Sequence, residues 1–546
     1  AATRIAANGN IEKETQNLLL QSNSFNTSPW NLSSATMSGG QSGYDGSSDA
    51  WIFTTSVAGA ANLQSFSSTG VLTYSVYAKA GSVNGIRLRI DTNSDADGFF
   101  NLVNGTIFQS SGIDASIEDV GGGWYRCSLA HNVAGPVKLQ FFTTNGTTSY
   151  DNGSIYIQDA QLEQSLVARD YIETTTTALY GGITDNVPRL DYTDSSCPAL
   201  LLEPQRTNLI SQSEFYGGSD WARTRCGFVT NTSETLSPEG LYNASKMTST
   251  DASESYAQDN VTLGSTSGTF TFFAKKGDLD YCHALVWDIS ANGRRQWFNL
   301  ATGAVGTTTN FGSGYTKVDA SIEDYGNGWY RCSFSWSGGN TTSAVRINIS
   351  SGDGVIGSPI NSYGYFYGAQ VEGSASYATS YIPTYGTSVT RNADACLLNN
   401  SSALPTAYPF TLYSESIIKS IGSEISLSFL NTSDNVSYAA IITSSGVPSL
   451  NARSGSSDVS LVSPDSVADG IVKIAGVFES STLKLFVNGA LKASISNTTT
   501  FQSGWNDLLI GQLRTTTDTG DRTSSKQAIV LPTALTDAEC VTLTTI

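Results

Sequence analysis

The sequence predicts an all-β protein of three antiparallel sandwiches, the first two of which are related jelly rolls. Short runs of Val, Ile, Tyr, Phe and Thr alternate with clusters of Gly, Asn, Ser and Asp, which is typical of strands joined by turns. One long segment occurs twice, and helical periodicity is absent until the C-terminus. At about 150 residues per domain, a chain of 546 residues accommodates three or four domains.

The duplication is clearest in one seventeen-residue stretch, which we call the twin motif. It reads DASIEDVGGGWYRCSLA at 114–130 and DASIEDYGNGWYRCSFS at 319–335. Its flanks match in the same order, with FFNLVNG at 99–105 answered by WFNLATG at 297–303. We therefore expect two copies of one jelly roll, copy 1 over residues 17–176 and copy 2 over residues 208–386.

The remaining segments complete the predicted architecture. Residues 1–16 are expected to form an N-terminal arm or strand, and residues 177–207 an extended connector. Residues 387–546 predict a third sandwich of a different kind. In it, Asn488-Gly489 suits the two-residue turn of a hairpin. Thr536 and Glu539 fit a capping box that begins a short helix ending near Leu543.

Composition excludes several classes of function. A net charge of -18 disfavours binding to nucleic acid or to an anionic membrane, and no apolar run reaches the roughly 20 residues that a membrane-spanning helix needs. The seven cysteines show no CxxC spacing, so we expect free and mostly buried thiols. Two histidines argue against histidine-based catalysis or a His-rich metal centre. Because the chain begins at Ala1 without a methionine, we expect a processed or recombinant fragment.

The twin motif contains the first candidate site. As a strand, WYRCSL alternates between two faces, which turns Tyr125 and Cys127 inward in copy 1. The outward residues of both copies are candidates for carbohydrate binding, because an exposed indole can stack on a sugar ring beside a hydrogen-bonding guanidinium. These candidates are Trp124, Arg126, Trp329 and Arg331.

Two alternatives concern the same motif. Each arginine can instead stack on its own tryptophan as a local cation–π pair, which we favour over sugar binding. The neighbouring acids Glu118 and Asp119 point to opposite faces of a strand, which suits a solvated turn better than a pair of catalytic carboxylates. The glycines before each tryptophan predict a tight turn or a bulge.

A calcium site is suggested by DTNSDADG at 91–98, since oxygen ligands at alternate positions can surround a hard cation. The candidate ligands there are Asn93, Asp95 and Asp97. The position that would supply a bidentate Glu is Asn104, and the matching segment of copy 2 keeps little of the pattern. A solvated hairpin turn is the favoured alternative.

Several segments resemble recurrent parts of bacteriophage tail-fibre and related virion adhesion proteins. They are ATRIAANGNIE at 2–12, NVPRLDYTDSSCPALLLEPQRTNLI at 186–210, GNGWYRCS at 326–333 and YIPTYGTSVTRNADAC at 381–396. In those proteins such segments join jelly rolls similar to carbohydrate-binding modules. The ending, LKLFVNGALKASI followed by ALTDAECVTL, resembles the last hairpin and closing helix of concanavalin A-like (laminin G-like) lectin domains.

The resemblance implies a non-enzymatic protein exposed on the virion, as a tail fibre or another surface appendage. Its partners would be a host-surface glycan and other virion proteins, and it would often be a homotrimer. Similar modules often hold structural calcium through an aspartate of the final strand. Asp159 occupies that place in copy 1, but Gly368 stands there in copy 2.

Two further functions remain open. The protein could be a virion decoration or fibre-shaft component that acts through protein–protein packing. It could also be a polysaccharide depolymerase, since concanavalin A-like folds include glycosidases and lyases. We rank the depolymerase last, because residues 396–546 lack the ExDxE-type run of acids that such enzymes commonly carry.

Overall fold

The computed structural model describes residues 2–184, 186–193, 195–399, 401–418, 426–430, 438–444, 446–502, 505–511 and 522–546. Over these ranges the chain is almost entirely β-structure. Within them no helix is long and apolar enough to cross a membrane. The predicted all-β class with two jelly rolls and a third sandwich is confirmed.

The N-terminal arm and copy 1 contain thirteen strands. The arm strands are β1 (Thr3–Ile5), β2 (Ile11–Lys13) and β3 (Thr15–Asn17). The strands of copy 1 are β4 (Asn31–Ser33), β5 (Ala35–Gln41), β6 (Ala50–Thr55), β7 (Ala61–Ala80), β8 (Gly85–Asp91), β9 (Ala96–Asn101), β10 (Thr106–Ser110), β11 (Asp114–Gly121), β12 (Trp124–Thr144) and β13 (Ser154–Glu163).

Four connector strands precede the strands of copy 2. The former are β14 (Leu179–Gly181), β15 (Leu190–Asp191), β16 (Ala199–Leu202) and β17 (Arg206–Asn208). The latter are β18 (Ala222–Thr224), β19 (Cys226–Val229), β20 (Ser245–Ser249), β21 (Tyr256–Thr262), β22 (Gly268–Lys276), β23 (Tyr281–Trp287), β24 (Gly293–Asn299), β25 (Ala304–Phe311), β26 (Tyr315–Asp324), β27 (Trp329–Gly338), β28 (Thr342–Ser350) and β29 (Tyr363–Gly373).

The C-terminal part contains the remaining strands and one short helix. They are β30 (Val389–Arg391), β31 (Cys396–Leu398), β32 (Phe410–Ile418), β33 (Ser426–Leu430), β34 (Tyr438–Ser444), β35 (Val447–Ser454), β36 (Ser457–Val462), β37 (Gly470–Phe478), β38 (Thr482–Val487), β39 (Ala490–Ser496), β40 (Asp507–Ile510), β41 (Thr523–Leu531) and α1 (Asp537–Thr544).

Copy 2 is a sandwich of two six-stranded antiparallel sheets, ordered β18-β21-β28-β23-β24-β25 and β19-β20-β29-β22-β27-β26. Side chains from both sheets, such as Phe272 of β22 and Ile347 of β28, meet in one buried cluster. Copy 1 repeats this order, but its strands β7 and β12 each run without a break through both sheets and pair with each other at nineteen positions. Both long strands change neighbours near Gly70 and Gly135.

The third sandwich contains a seven-stranded sheet, β15-β16-β41-β32-β37-β38-β39, and a six-stranded sheet, β31-β40-β33-β34-β35-β36. Two connector strands thus belong to its first sheet, and they bury Leu201 and Leu202. The hairpin turn at Asn488-Gly489 is confirmed, since both residues have positive φ. The capping box of Thr536 and Glu539 is confirmed as well.

Candidate functional site

The twin motif forms β11, a turn and the start of β12 in copy 1, and the end of β26, a turn and the start of β27 in copy 2. The inward residues Cys127 and Cys332 are fully buried in the two cores, as predicted. Burial raises the pKa of both thiols, so neither is a ready nucleophile. All seven cysteines of the chain are free. The glycines just before each tryptophan of the motif lie in tight turns, and the β11–β12 register shifts beside Gly121.

The outward tryptophans are on the predicted face but are not exposed. Trp124 retains 3% and Trp329 1% of their accessible surface. Trp124 lies under Tyr44, whose ring stacks on Tyr77 at 3.8 Å, and the Trp329 indole donates a 2.7 Å hydrogen bond to the carbonyl of Leu236. The expectation of an exposed stacking platform is therefore corrected, because other segments of each copy, which include Tyr44 in copy 1 and Leu236 in copy 2, fold over this face.

The outward arginines form hydrogen bonds to further segments that cover the same face. Arg126 donates to the carbonyl of Arg169, and Arg331 donates to the carbonyl of Thr379 at 2.6 Å. The alternative of a local pair with the adjacent tryptophan is also corrected. Arg126 stacks over Tyr77 at 5.3 Å, and Arg331 stacks over Phe273, on the neighbouring strand, at 5.6 Å. These contacts fix the covering segments to the sheet, which is a structural role.

The 91–98 segment is the β8–β9 hairpin turn, which was the favoured alternative. The carboxylate of Asp95 is paired with Arg89, and that of Asp97 with Arg87 at 2.7 Å. Asn93 is exposed in the turn. Among the described residues, no three His, Cys, Asp or Glu side chains converge as metal ligands. The residues of this turn therefore do not fit calcium, because arginines already compensate both carboxylates.

Asp159 lies elsewhere, under the 43–49 loop, and accepts a 3.0 Å hydrogen bond from the hydroxyl of Tyr44. The oxygens of this loop are also engaged: Gln158 donates its amide to Asp45, Ser47 and Asp49 at 3.2, 3.2 and 2.8 Å. An amide therefore occupies the position that a cation would need. Burial raises the pKa of Asp159 to about 7, which further disfavours an anionic ligand role.

A different surface has the character of a binding site. It is the outer side of the copy 2 sheet that contains β21, β28, β23 and β24, and we call it the arginine face. Alternate residues of these strands point away from the core. Its polar members are Glu254, Gln258, His283, Arg295 and Arg346, and its aromatic members are Tyr256, Trp287, Trp297 and Phe311.

The two arginines of this face are held in place by aromatic rings. The Arg346 guanidinium lies 3.8 Å from the ring centroid of Tyr256 and 4.6 Å from that of Trp287. Its Nε donates a 2.7 Å hydrogen bond to Gln258. Arg295 lies 4.8 Å from the centroid of Phe311. Stacking and hydrogen bonding fix the donor forks before any ligand arrives.

Glu254 faces both arginines from the chain just before β21. Its oxygens lie 3.5 Å from Arg346, 3.6 Å from Arg295 and 3.7 Å from Nε2 of His283. Charge-assisted hydrogen bonds are normally about 2.7–2.9 Å long, so these contacts are loose. Burial favours the neutral carboxyl, but His283 and the two arginines outweigh it and lower the pKa of Glu254, which is therefore ionised at neutral pH.

His283 is fully buried, and neither ring nitrogen has a hydrogen-bond partner among the residues that the structure describes. Its ring stacks on Trp297 at 4.8 Å. Burial lowers its pKa, so the ring is neutral at pH 7. Within the described part of the chain, Oε1 of Glu254 also lacks a hydrogen-bond partner. Buried polar atoms without partners are costly, and a polar ligand would relieve that cost.

On the same face of copy 1, Arg87 is paired with a carboxylate of the same sheet. The strand registers align Arg87 with His283 and Asp97 with Arg295. Arg87 sits among three aromatic rings, but it donates directly to Asp97 at 2.7 and 2.9 Å. Its charge is neutralised within the sheet. The two copies thus share a backbone and differ in whether their outer charges are compensated.

A cleft of about 150 Å³ lies where copy 1 meets the end of copy 2, between Gln16, Gln164 and Tyr385. Small-molecule sites usually measure about 300–1,000 Å³. We therefore assign the candidate site to the arginine face. The sequence analysis missed this site, although a signal was present: polar and aromatic residues recur at alternate positions in HALVW at 283–287 and in RQW at 295–297.

Comparison with known proteins finds a family model that matches part of the third sandwich. Residues 390–526 match the model of the concanavalin A-like lectin/glucanases superfamily. This part of the chain therefore has a lectin-like fold, as the hairpin and closing helix suggested. The match covers about a quarter of the chain, and comparison with curated proteins returns no match.

Solved structures that match part of this chain come from several organisms. The CBM40 of Ruminococcus gnavus IT-sialidase, bound to α2,3-sialyllactose, is 17% identical over 26% of this chain and 84% of its own, with a TM-score of 0.24. A galectin of Caenorhabditis elegans is 19% identical over 24% and 94%, with a TM-score of 0.18. At these identities and scores the likeness carries no inference about ligands.

Proposed function

We propose that this protein is a non-enzymatic, glycan-binding component of a bacteriophage virion, either a fibre or a receptor-binding protein. The observation that carries the proposal is the arginine face. There, arginines fixed by aromatic rings lie on a sheet beside hydrogen-bonding groups that have no partner among the described residues. The lectin-like fold of residues 390–526 supports the same class of ligand. Sugars are recognised through many polar contacts on a preformed surface, which this face provides.

The virion role rests on the sequence segments shared with tail-fibre and adhesion proteins. In this role the chain sits on an exposed appendage, binds a host-surface glycan, contacts other virion proteins and assembles as a homotrimer. Several sandwiches in one chain, repeated in a trimer, would raise the effective affinity for a repetitive surface polysaccharide.

A glycan array probed with the full chain tests the proposal, followed by binding to cells of a host that carries the selected glycan. We expect binding to a defined subset of glycans and no release of reducing ends. The absence of binding to any glycan or cell would refute glycan recognition, and released reducing ends would reinstate the depolymerase. Analytical ultracentrifugation measures whether the chain is a trimer.

The structural alternative, a virion decoration or fibre-shaft protein, is favoured by one observation. A buried ion network joins the arm, copy 1 and copy 2. Lys13 contacts Glu214 at 2.6 Å and Glu239 at 2.7 Å, and Arg169 contacts Glu239 at 2.6 Å. Such a network resists changes in module orientation, as a shaft requires.

A second buried network joins the connector to the start of the C-terminal part. Glu203 accepts from Arg391 at 2.6 Å and from Arg189 at 3.0 Å. Although burial opposes ionisation, these arginines lower the pKa of Glu203. Immunogold labelling of the whole virion separates the two functions: an arginine face buried against another virion protein favours the shaft, and a face open to solvent favours recognition.

A further inference from the structure

The arginine face has a preference for one class of sugar. We propose that it binds an acidic sugar, such as a hexuronic acid residue of a surface polysaccharide. The sugar carboxylate pairs with Arg295 and Arg346 in exchange for Glu254. This inference rests on the proposed glycan-binding function and specifies the ligand class of the same site.

The aromatic rings indicate that recognition here is polar. The rings of Tyr256 and Trp287 have Arg346 over their faces, and that of Phe311 has Arg295. A face occupied by a guanidinium is not free to stack on a sugar ring. The rings instead orient two planar donor forks, and such a fork matches a carboxylate through two parallel hydrogen bonds.

The charge balance also favours an anionic group. Two guanidinium groups face one carboxylate, and His283 is neutral, so the face keeps a local positive charge in a protein with a net charge of -18. Two other acids near this site are engaged elsewhere: Asp251 is half-exposed and lies 3.9 Å from Arg225, and Asp353, beside Trp297, accepts two 2.8 Å hydrogen bonds from Thr307. A ligand carboxylate at hydrogen-bonding distance from either arginine would improve on the 3.5–3.6 Å contacts of Glu254.

Glu254 is suited to exchange because the sheet does not hold it. It lies between β20 and β21, behind a turn in which Asp251 accepts a 2.8 Å hydrogen bond from the Ser253 amide. Among the described residues, its side chain makes no polar contact closer than these loose ion pairs, and Oε1 has no hydrogen-bond partner. Moving it aside disrupts no strand pairing. It therefore acts as an internal substitute for the ligand carboxylate.

Copy 1 provides a matched control. Arg87 stands on the same face and is also surrounded by aromatic rings, but Asp97, a residue of the adjacent strand, pairs with it directly at 2.7 Å. A ligand carboxylate would have to break that short contact. We therefore expect acidic-sugar binding at copy 2 and none at copy 1.

The test uses the full chain and a panel of hexuronic acid oligosaccharides, each paired with its carboxyl-reduced neutral counterpart, measured by isothermal titration calorimetry. We expect the acidic member of at least one pair to bind about 10-fold tighter or more, with affinity falling as salt rises. Arg295→Gln and Arg346→Gln should each weaken that binding about 10-fold, and Glu254→Gln should strengthen it. Arg87→Gln should leave it unchanged.

The outcomes separate the inference from the function on which it rests. Equal affinity for acidic and neutral members overturns the acidic-sugar inference but keeps glycan binding. No binding to either member also overturns the inference, and the glycan array then decides whether the proposed glycan-binding function stands. An Arg87→Gln variant as weak as Arg346→Gln overturns the assignment to copy 2. Arg346→Lys keeps the charge but lacks the planar fork, and unchanged affinity in this variant would overturn the proposed geometry. Thermal melting confirms that each variant is folded.

Discussion

Copy 1 and copy 2 share strand order, core and twin motif, yet their outer faces differ in charge compensation. Arg87 and Asp97 form a direct pair in copy 1. In copy 2 the equivalent positions are His283 and Arg295, and the balancing acid, Glu254, comes from outside the sheet. The difference shows how two copies of one fold can keep the same core and still differ in function. Outward residues can be replaced with little loss of packing energy in the core.

The opposite holds for the twin motif, whose covered outer face is the same in both copies. Trp124 and Trp329 are both buried, and the adjacent arginines both bind the carbonyl of a covering segment. Shared outward residues therefore mark structural contacts in this protein, whereas divergent outward residues mark the candidate site. The predictions below test this distinction.

The largest effect is expected from Trp329→Ala. Removing a buried indole should lower the free energy of unfolding by about 3–5 kcal/mol, measured by urea denaturation. Trp124→Ala should behave in the same way. Trp287→Ala, at a half-buried ring of the arginine face, is the control and should cost less. A Trp329→Ala variant of normal stability that has lost glycan binding would restore the sugar-platform hypothesis.

A somewhat smaller loss is expected from Lys13→Met, which removes the cation between Glu214 and Glu239. Leaving buried carboxylates without their partner should cost about 3 kcal/mol. Because Lys13 belongs to the arm and both acids to copy 2, limited proteolysis should release the arm earlier than in the wild type. Lys79→Met is the control, since Lys79 makes an exposed contact to the Gly122 carbonyl. Equal proteolysis of the two variants would contradict a locking role.

Glycine substitutions probe the unbroken strands of copy 1. Gly70 has φ +104°, and a Cβ there would overlap the carbonyl oxygen of Tyr385, which also accepts from Val71. Gly264, at the matching break in copy 2, has φ +69° and free space. Gly264→Ala should cost about 1–2 kcal/mol from backbone strain alone. Gly70→Ala should cost more. Equal melting temperatures would show that copy 1 does not depend on this contact.

The smallest effect concerns pH. Burial, followed by the nearby Asp49 and Asp45, raises the pKa of Asp159 to about 7 from its ordinary 3.8. A raised pKa means that the folded state favours the protonated carboxyl. The contribution of Asp159 to the free energy of unfolding is therefore fully present below about pH 4 and is lost as pH rises through 7.

Asp159→Asn should remove that loss. The residue has φ +51°, which asparagine tolerates, and its amide oxygen can still accept from Tyr44. We expect the variant to be more stable than the wild type at pH 8 and almost equal to it at pH 4, measured by thermal melting. An equal gain at both pH values would show that titration is not the cause. Added calcium that stabilises only the wild type would instead favour a metal role for Asp159.

The sequence by itself determined the fold class, the twin motif strands, the 488–489 turn and the C-terminal helix. These features depend on local rules: alternation, positive-φ turn residues and capping, all of which are visible in neighbouring letters. It also placed Trp124 and Arg126 on the correct side of their strand.

Only the tertiary structure decided which outer face is covered. Arg169 and Thr379 lie tens of residues from the arginines they bind, and Glu254 meets His283 and Arg346 only because β21, β28 and β23 are adjacent. Alternation assigns a residue to a side of a sheet. Exposure and charge compensation depend on segments that are distant in sequence, so a sequence pattern does not contain them.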